Sequence, residues 1–290
     1  MSGNVLVLGA TGAVGGRVLQ GLEAAGERVL AASRMPGRAA AVSGGTWVEL
    51  DLERPETFPA ALEGVDRVFL MARPGDDDPD RVAGPFLDAA RRAGVARVVN
   101  LTAMGVEREP EFGLRRLELQ LEASGLAYTH LRPNFFMQIF AVPPLLGQVS
   151  GGALRLPTAD ARLSYVDTRD IADVAVAALM DRSHAGKAYT LTGPESLDHH
   201  AVAHHLSAAG GRRISYEPVT DDEAAAFMSA AGLEPARVER LLGFYRRVRS
   251  GHSAPVSGDV EAVLGRPARS FAAFARDYAA SWTTPAGHAS

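Results

Sequence analysis

The sequence predicts an α/β chain: a doubly wound parallel sheet followed by a smaller, mostly helical C-terminal domain. Two observations predict it. Short apolar runs at Val5–Leu8, Arg28–Ala32, Trp47–Leu50, Arg67–Met71, Arg97–Leu101 and Ala127–Leu131 alternate with segments whose apolar residues recur every three or four positions, as in Val14-Val18-Leu19-Leu22 and Leu114-Leu117-Leu121. Strands and helices in that rhythm require crossovers and a sheet covered on both faces. The 290 residues, 47% hydrophobic and 22% charged, suit a chain with a sizeable core and neither a disordered chain nor a coiled coil.

The first strand runs directly into Gly9-Ala10-Thr11-Gly12-Ala13-Val14-Gly15, which opens an amphipathic helix. In that context Gly9 permits the tight turn and Gly12 lets backbone amides approach a pyrophosphate. Gly15 allows close helix–sheet packing while the helix N-terminus faces the anion. Gly9, Thr11, Gly12, Val14 and Gly15 are therefore expected to hold a dinucleotide in a Rossmann domain; a glycine-rich turn without a ligand is the alternative. The second strand ends in Ala31-Ala32-Ser33-Arg34, where an NAD-specific site would carry a carboxylate for the ribose hydroxyls. Arg34 can instead fork onto a 2′-phosphate and Ser33 can donate to it, so NADP(H) is expected, the alternative being a solvated strand-end charge. Asp51, at the end of the third strand, either borders the adenine or caps the next helix.

Ligands in such sheets bind beyond the carboxyl ends of the strands. Those ends supply Met71 and Arg73 after the fourth strand, Thr102 and Met104 after the fifth, and Pro133, Asn134, Phe135 and Phe136 after the sixth. After Pro133 the rhythm breaks. Helices are expected at 166–180, 198–209, 221–231, 235–248 and 270–281, with one short strand at 188–192. The boundary is placed near 150, giving a dinucleotide-binding domain at 1–150 and a smaller substrate domain at 151–290, with helix 166–180 packing back on the sheet. Residues 283–290 read as a frayed tail.

Net charge of −4 and a pI near 6.1 give no electrostatic case for nucleic acid. There is no cysteine, hence no disulfide or thiolate site. Neither a basic leader nor a long apolar run is visible, so the chain reads as cytoplasmic and without a membrane segment. Oligomeric state is open between monomer and homodimer. Lys187 is the single lysine among 30 basic residues; this arginine- and alanine-rich usage suggests a GC-rich genome and a role in specialised metabolism.

Gly9–Gly15, Leu50-Asp51-Leu52, Gly64-Val65-Asp66, Ser124–Thr129, Leu131–Met137, Val166–Asp170, Tyr189–Glu195 and Leu264–Pro267 together resemble the NmrA-like branch of the atypical short-chain dehydrogenases/reductases. The resemblance covers nearly the whole chain. It implies either an NADPH-dependent reductase, as of triphenylmethane dyes, quinones or isoflavones, or a non-catalytic dinucleotide sensor. It also implies that Thr102 and Pro133–Phe135 border the nicotinamide.

The larger superfamily delivers a proton from a Tyr activated by a Lys four residues later. None of the six tyrosines has that lysine. Hydride can still go to a quinone, enone or other conjugated electrophile whose charge is spread over the substrate, with a proton following from water. Asn134 would orient the carboxamide or a substrate oxygen, Thr102 would shape the reacting end, and Tyr165, Tyr128 and His130 remain candidate donors with structural roles as alternatives. Arg73, Met104, Phe112, Phe136, Met137 and Phe140 are expected as the wall for a small aromatic or conjugated substrate, each weighed against simple core filling. A redox sensor and a non-redox isomerase or cyclase of the same fold are the rival readings.

No metal site is expected. His199, His200, His204 and His205 read as a solvated helix surface, and Asp76–Asp80 as helix capping. The sequon at Asn100-Leu101-Thr102 sits at a buried strand end.

Overall fold

The computed structural model describes residues 3–43, 46–73 and 75–283. Seven of its strands are β1 (Asn4–Val7), β2 (Val29–Ser33), β3 (Thr46–Glu49), β4 (Val65–Met71), β5 (Arg97–Leu101), β6 (Ala127–Pro133) and, after β7 (Ala153–Leu156), β8 (Lys187–Leu191). They form one parallel sheet in the order β3-β2-β1-β4-β5-β6-β8. The order reverses between β1 and β4, which makes that junction the switch point where ligands settle in this architecture. β7 pairs in parallel with β9 (Ser215–Pro218) as a separate two-stranded sheet.

Parallel strands covered on both faces need near-continuous apolar runs. Val5, Leu6 and Val7 are fully buried, as is every residue of β5 to a few per cent. One face packs Leu6, Val68, Leu70 and Val98 against Phe86 and Leu87 of helix Pro79–Arg92 and Leu117 and Leu121 of helix Gly113–Ala123. Helices Gly15–Ala24 and Thr168–Met180 pack against each other, and the latter lies on β4, β5 and β6. A Cβ on Gly21 would sit 2.9 Å from Val176 Cγ2, so the two helices approach closely there. Buried Arg97 donates to the carbonyls of Ala178 and Leu179 at 2.9 and 3.1 Å, satisfying acceptors that the end of helix Thr168–Met180 leaves open. Arg67 reaches Leu179 O and pairs with Glu27 at 2.6 Å.

By its contacts the chain divides into two units that interleave in sequence. The first is 1–133, 168–191 and 259–266; the second is 134–167, 192–258 and 267–290. The single boundary drawn near 150 is corrected accordingly. The short strand expected in the helical half is β8, hydrogen-bonded beside β6 as the edge of the main sheet.

The second unit has its own core, built from Phe140, Leu154, Tyr165, Leu206, Phe271, Phe274 and Trp282 among others. Helix Leu145–Gly151, β7, β9 and helix Asp259–Leu264 of the first unit escaped the sequence reading. Each is at most seven residues long and bordered by Gly or Pro, too short to show a period. Helix Asp221–Ala230 starts at a capping box made by Thr220 and Glu223, and helix Pro235–Arg249 has proline in its first turn. Among the described residues no helix is long and apolar enough to cross a membrane. The tail expected to fray lies, past Thr283, outside the described residues.

Candidate functional site

At the switch point β1 ends in a turn whose backbone favours glycine. Gly9 has φ +65°, and a Cβ there would run into the Met71 methyl group. A Cβ on Gly15 would run into Gly9 O and lie 2.9 Å from Leu8 O, so the helix can start this close to the strand only without one. The Gly12 amide is spent on Gly9 O at 2.8 Å, whereas the amides of Thr11, Ala13 and Val14 find no acceptor among the described residues. Helix Gly15–Ala24 has no side-chain cap. Unpaired amides at a helix N-terminus form an anion cradle, so these residues fit a pyrophosphate.

That cradle opens into a cleft of about 730 Å3 lined by residues between Leu8 and Ala83. Gly9, Thr11, Gly12, Ser33, Arg34, Asp51, Met71 and Arg73 all line it, which brings together most of the expected cofactor residues. Ser33 Oγ accepts from Met35 N at 3.1 Å and keeps its own proton free to donate. Arg34 and Arg38, four residues apart and both exposed, present two guanidiniums to the same cleft. Arg38 was missed in the sequence; its place in the first turn of a helix entered at Pro36, just past Arg34, is the signal that could have found it. Asp51 lines the cleft, and it does not cap the next helix, whose N-cap is Arg54; its Oδ1 instead accepts from Glu53 N at 3.1 Å, closing the turn before it. Arg73 pairs with Glu53 at 3.3 Å. Val14 is corrected in part, because its side chain is buried and only its amide can reach a ligand.

Beyond β5, Thr102 is 8% exposed and its Oγ1 donates to Glu118 Oε1 at 2.8 Å. The Glu118 carboxylate is fully buried in helix Gly113–Ala123, where it also accepts from Arg132 Nε and Nη2 at 2.9 and 2.8 Å and from Arg115 Nη1 at 2.8 Å. Burial pushes its pKa up, but Arg132, the nearby His130 and Thr102 outweigh that and hold it below the usual carboxylate range. Glu118 was not singled out in the sequence, although it sits beside Leu117 on the arc that buries Leu117 and Leu121. His130 stacks on Tyr128 at 4.8 Å, and burial pushes its pKa down against the pull of Glu118 and Glu122. Glu118, Glu122 and His130 are close enough to share a cation, yet two guanidiniums already occupy Glu118. Met104 N donates to Pro133 O at 2.9 Å, joining the ends of β5 and β6, and Phe112 stands 43% exposed at the start of helix Gly113–Ala123.

The other expected residues belong to the second unit. Asn134 Nδ2 donates to Ser164 Oγ and Ser253 O, both at 2.8 Å. Phe135 and Phe136 are half-buried, and Phe136 bridges to Val166. Met137 and Phe140 are corrected: both are buried in the apolar core, with Phe140 edge-on to Tyr165 and Phe271, and offer no surface to a substrate. Tyr165 is corrected as a donor. Its hydroxyl is bonded to His199 Nε2 at 2.9 Å inside that core, and burial raises its pKa well above the ordinary tyrosine value. His199 is thereby removed from the solvated histidine surface, on which His200 and His204 remain. Asp76–Asp80 also differs from expectation: Asp78 makes no side-chain cap, and Asp78 and Asp80 instead hold Arg116 at 2.8 and 2.9 Å. Asn100 of the sequon is fully buried.

A family model described as NAD(P)H-binding matches residues 9–182. The chain belongs to that family. Family membership and the open amide cradle agree, so the cofactor is NAD(P)H. The chain is 34% identical to an NAD(P)H azoreductase of Xenophilus azovorans over 96% of its length and 99% of that protein. It is 38% identical to a (4-alkanoyl-5-oxo-2,5-dihydrofuran-3-yl)methyl phosphate reductase of Streptomyces griseus subsp. griseus, covering 95% of this chain and 98% of that protein. The crystal structure of Citrobacter sp. triphenylmethane reductase complexed with NADP(H) superposes with a TM-score of 0.85 at 23% identity, covering 95% of this chain and 99% of that one, a likeness of fold. With oxidoreductases as its near full-length relatives, this family member is an NAD(P)H-dependent oxidoreductase.

Proposed function

We propose that this oxidoreductase uses NADPH to reduce a small aromatic or conjugated electrophile. The observation that carries the cofactor preference is the placement of Ser33, Arg34 and Arg38 on one wall of the cleft that starts at the glycine cradle. Two guanidiniums and a hydroxyl donor suit a dianionic 2′-phosphate, and no carboxylate stands at the end of β2 to favour a bare ribose. Bound NADPH supplies a hydride. The chain supplies amides for the pyrophosphate, Met71 against Gly9 to shape the floor, and the end of β4 to border the reacting end.

The substrate class follows from what the chain lacks. Lys187, the one lysine, is exposed on β8, so no lysine stands ready to activate a tyrosine. A substrate that spreads the incoming charge over a carbonyl, azo or quinonoid system needs no such acid, and water delivers the proton afterwards. The names of the two relatives support this. One is an azoreductase, and the other reduces a compound whose ring alkene is conjugated to two carbonyls.

Calorimetric titration with NADPH, NADP⁺, NADH and NAD⁺ tests the cofactor side. The phosphorylated pair binds at least roughly tenfold tighter, and Arg34→Ala or Arg38→Ala removes most of that preference, since each charge-assisted contact contributes about 1.5–3 kcal/mol. Equal affinity for the NAD pair overturns the assignment. NADPH consumption with an azo dye, a quinone and a 2-acyl butenolide then tests the substrate side; turnover of a saturated ketone in preference to all three overturns it.

A further inference from the structure

This inference rests on the cofactor reading above. A dinucleotide seated on the glycine cradle with its adenosine end toward Ser33, Arg34 and Asp51 sends its nicotinamide end the other way along the sheet, past Met71 at the end of β4, which lines the cleft, toward the end of β5, the next strand. Thr102 follows β5 there. A threonine hydroxyl has one proton and two acceptor lone pairs, so where the proton goes decides what the residue offers a ligand.

The surroundings leave one assignment. Glu118 Oε1 lies 2.8 Å from Thr102 Oγ1, and the only other polar neighbour of that oxygen among the described residues is Leu131 O at 3.4 Å, also an acceptor. The buried carboxylate receives four hydrogen bonds: Thr102 and Arg132 Nε on Oε1, Arg132 Nη2 and Arg115 Nη1 on Oε2. Flanked by two guanidiniums it is an acceptor and has no proton to give. We propose that Glu118 is a positioning residue for the cofactor: by taking the Thr102 proton it makes that hydroxyl a pure acceptor, matched to the N–H of the nicotinamide carboxamide. Thr102 would therefore offer the carboxamide an acceptor and donate no proton to substrate.

The test compares binding of NADP⁺ with that of its 3-acetylpyridine analogue, in which a methyl group replaces the carboxamide NH2. Calorimetry on the full chain is expected to give a preference for NADP⁺ of roughly tenfold, the size of one hydrogen bond. Thr102→Ser keeps the preference. Thr102→Val and Glu118→Gln lose it, the second because an amide N–H facing Thr102 turns the hydroxyl proton outward. Should Glu118→Gln fail to fold by circular dichroism, Glu118→Asp, which keeps the charge and withdraws the acceptor by one methylene, is expected to weaken the same preference. Equal binding of both nucleotides by the unmodified chain, or full discrimination by Thr102→Val or by the folded Glu118 variant, overturns the inference and leaves the cofactor assignment standing. Failure of the unmodified chain to bind either nucleotide overturns the cofactor assignment itself.

Discussion

Asn134 shows how one side chain can hold irregular backbone in place. Its amide donates to Ser164 Oγ and to the carbonyl of Ser253, 30 and 119 residues away in sequence, and it is buried. Asn134→Ala removes both bonds and leaves acceptors in a site too enclosed to rehydrate freely. The expected loss is about 1–3 kcal/mol of stability, read in urea as a lower midpoint at unchanged slope. An unchanged midpoint would show that the two bonds contribute nothing net. Positions set by near neighbours in sequence were legible in advance: the turn of Gly9, Gly12 and Gly15 by spacing after a strand, and Arg34 beside the cleft by its place at the end of β2. Glu118 was not, because Thr102, Arg115 and Arg132 reach it from three separate elements and a lone glutamate in a helix reads as solvated.

At the scale of elements, helix His199–Gly210 carries a histidine, read as solvated, into its packing face. Its buried residues are His199, Val202, Ala203 and Leu206, an apolar stripe whose first member is a histidine. His199 Nδ1 meets Thr158 Oγ1 and Nε2 meets Tyr165 OH, both at 2.9 Å, while Tyr216 OH lies 2.9 Å from the same threonine. Burial pushes the His199 pKa from 6.5 to about 4. The folded state therefore keeps the ring neutral where the unfolded chain protonates it. Its contribution is complete above pH 6.5 and is lost as pH falls toward 4, a destabilisation of up to about 3 kcal/mol. His199→Gln, which removes the titration while keeping a polar group, is expected to flatten the fall in urea midpoint between pH 6.5 and 4. An equally steep fall in the variant would assign the acid sensitivity to other groups.

The whole molecule departs most from its sequence where the chain leaves one unit and returns. Alternation of strands and helices is a local signal, and it disclosed six strands of the sheet; which strand pairs with which is not local, so β8 read as part of the helical half. The consequence is physical. A fragment ending at residue 150 contains β1 to β6 but lacks helix Thr168–Met180, which covers β4, β5 and β6, and lacks β8, which pairs with β6 from Thr129 to Pro133. Leu6, Val68, Leu70 and Val98 belong to the core on one face, so the alternating Val5, Val7, Phe69 and Val99, all buried, point to the other and depend on its helices. Arg67 and Arg97 would lose the carbonyls of Ala178 and Leu179 that they bond. An uncovered sheet face and an open edge strand favour aggregation. The fragment 1–150 is accordingly expected to be insoluble or to unfold without cooperativity, whereas 1–283 melts cooperatively and shifts to higher temperature with NADPH. A soluble, cooperatively folding 1–150 fragment would mean that the cofactor-binding half stands without its returning segments.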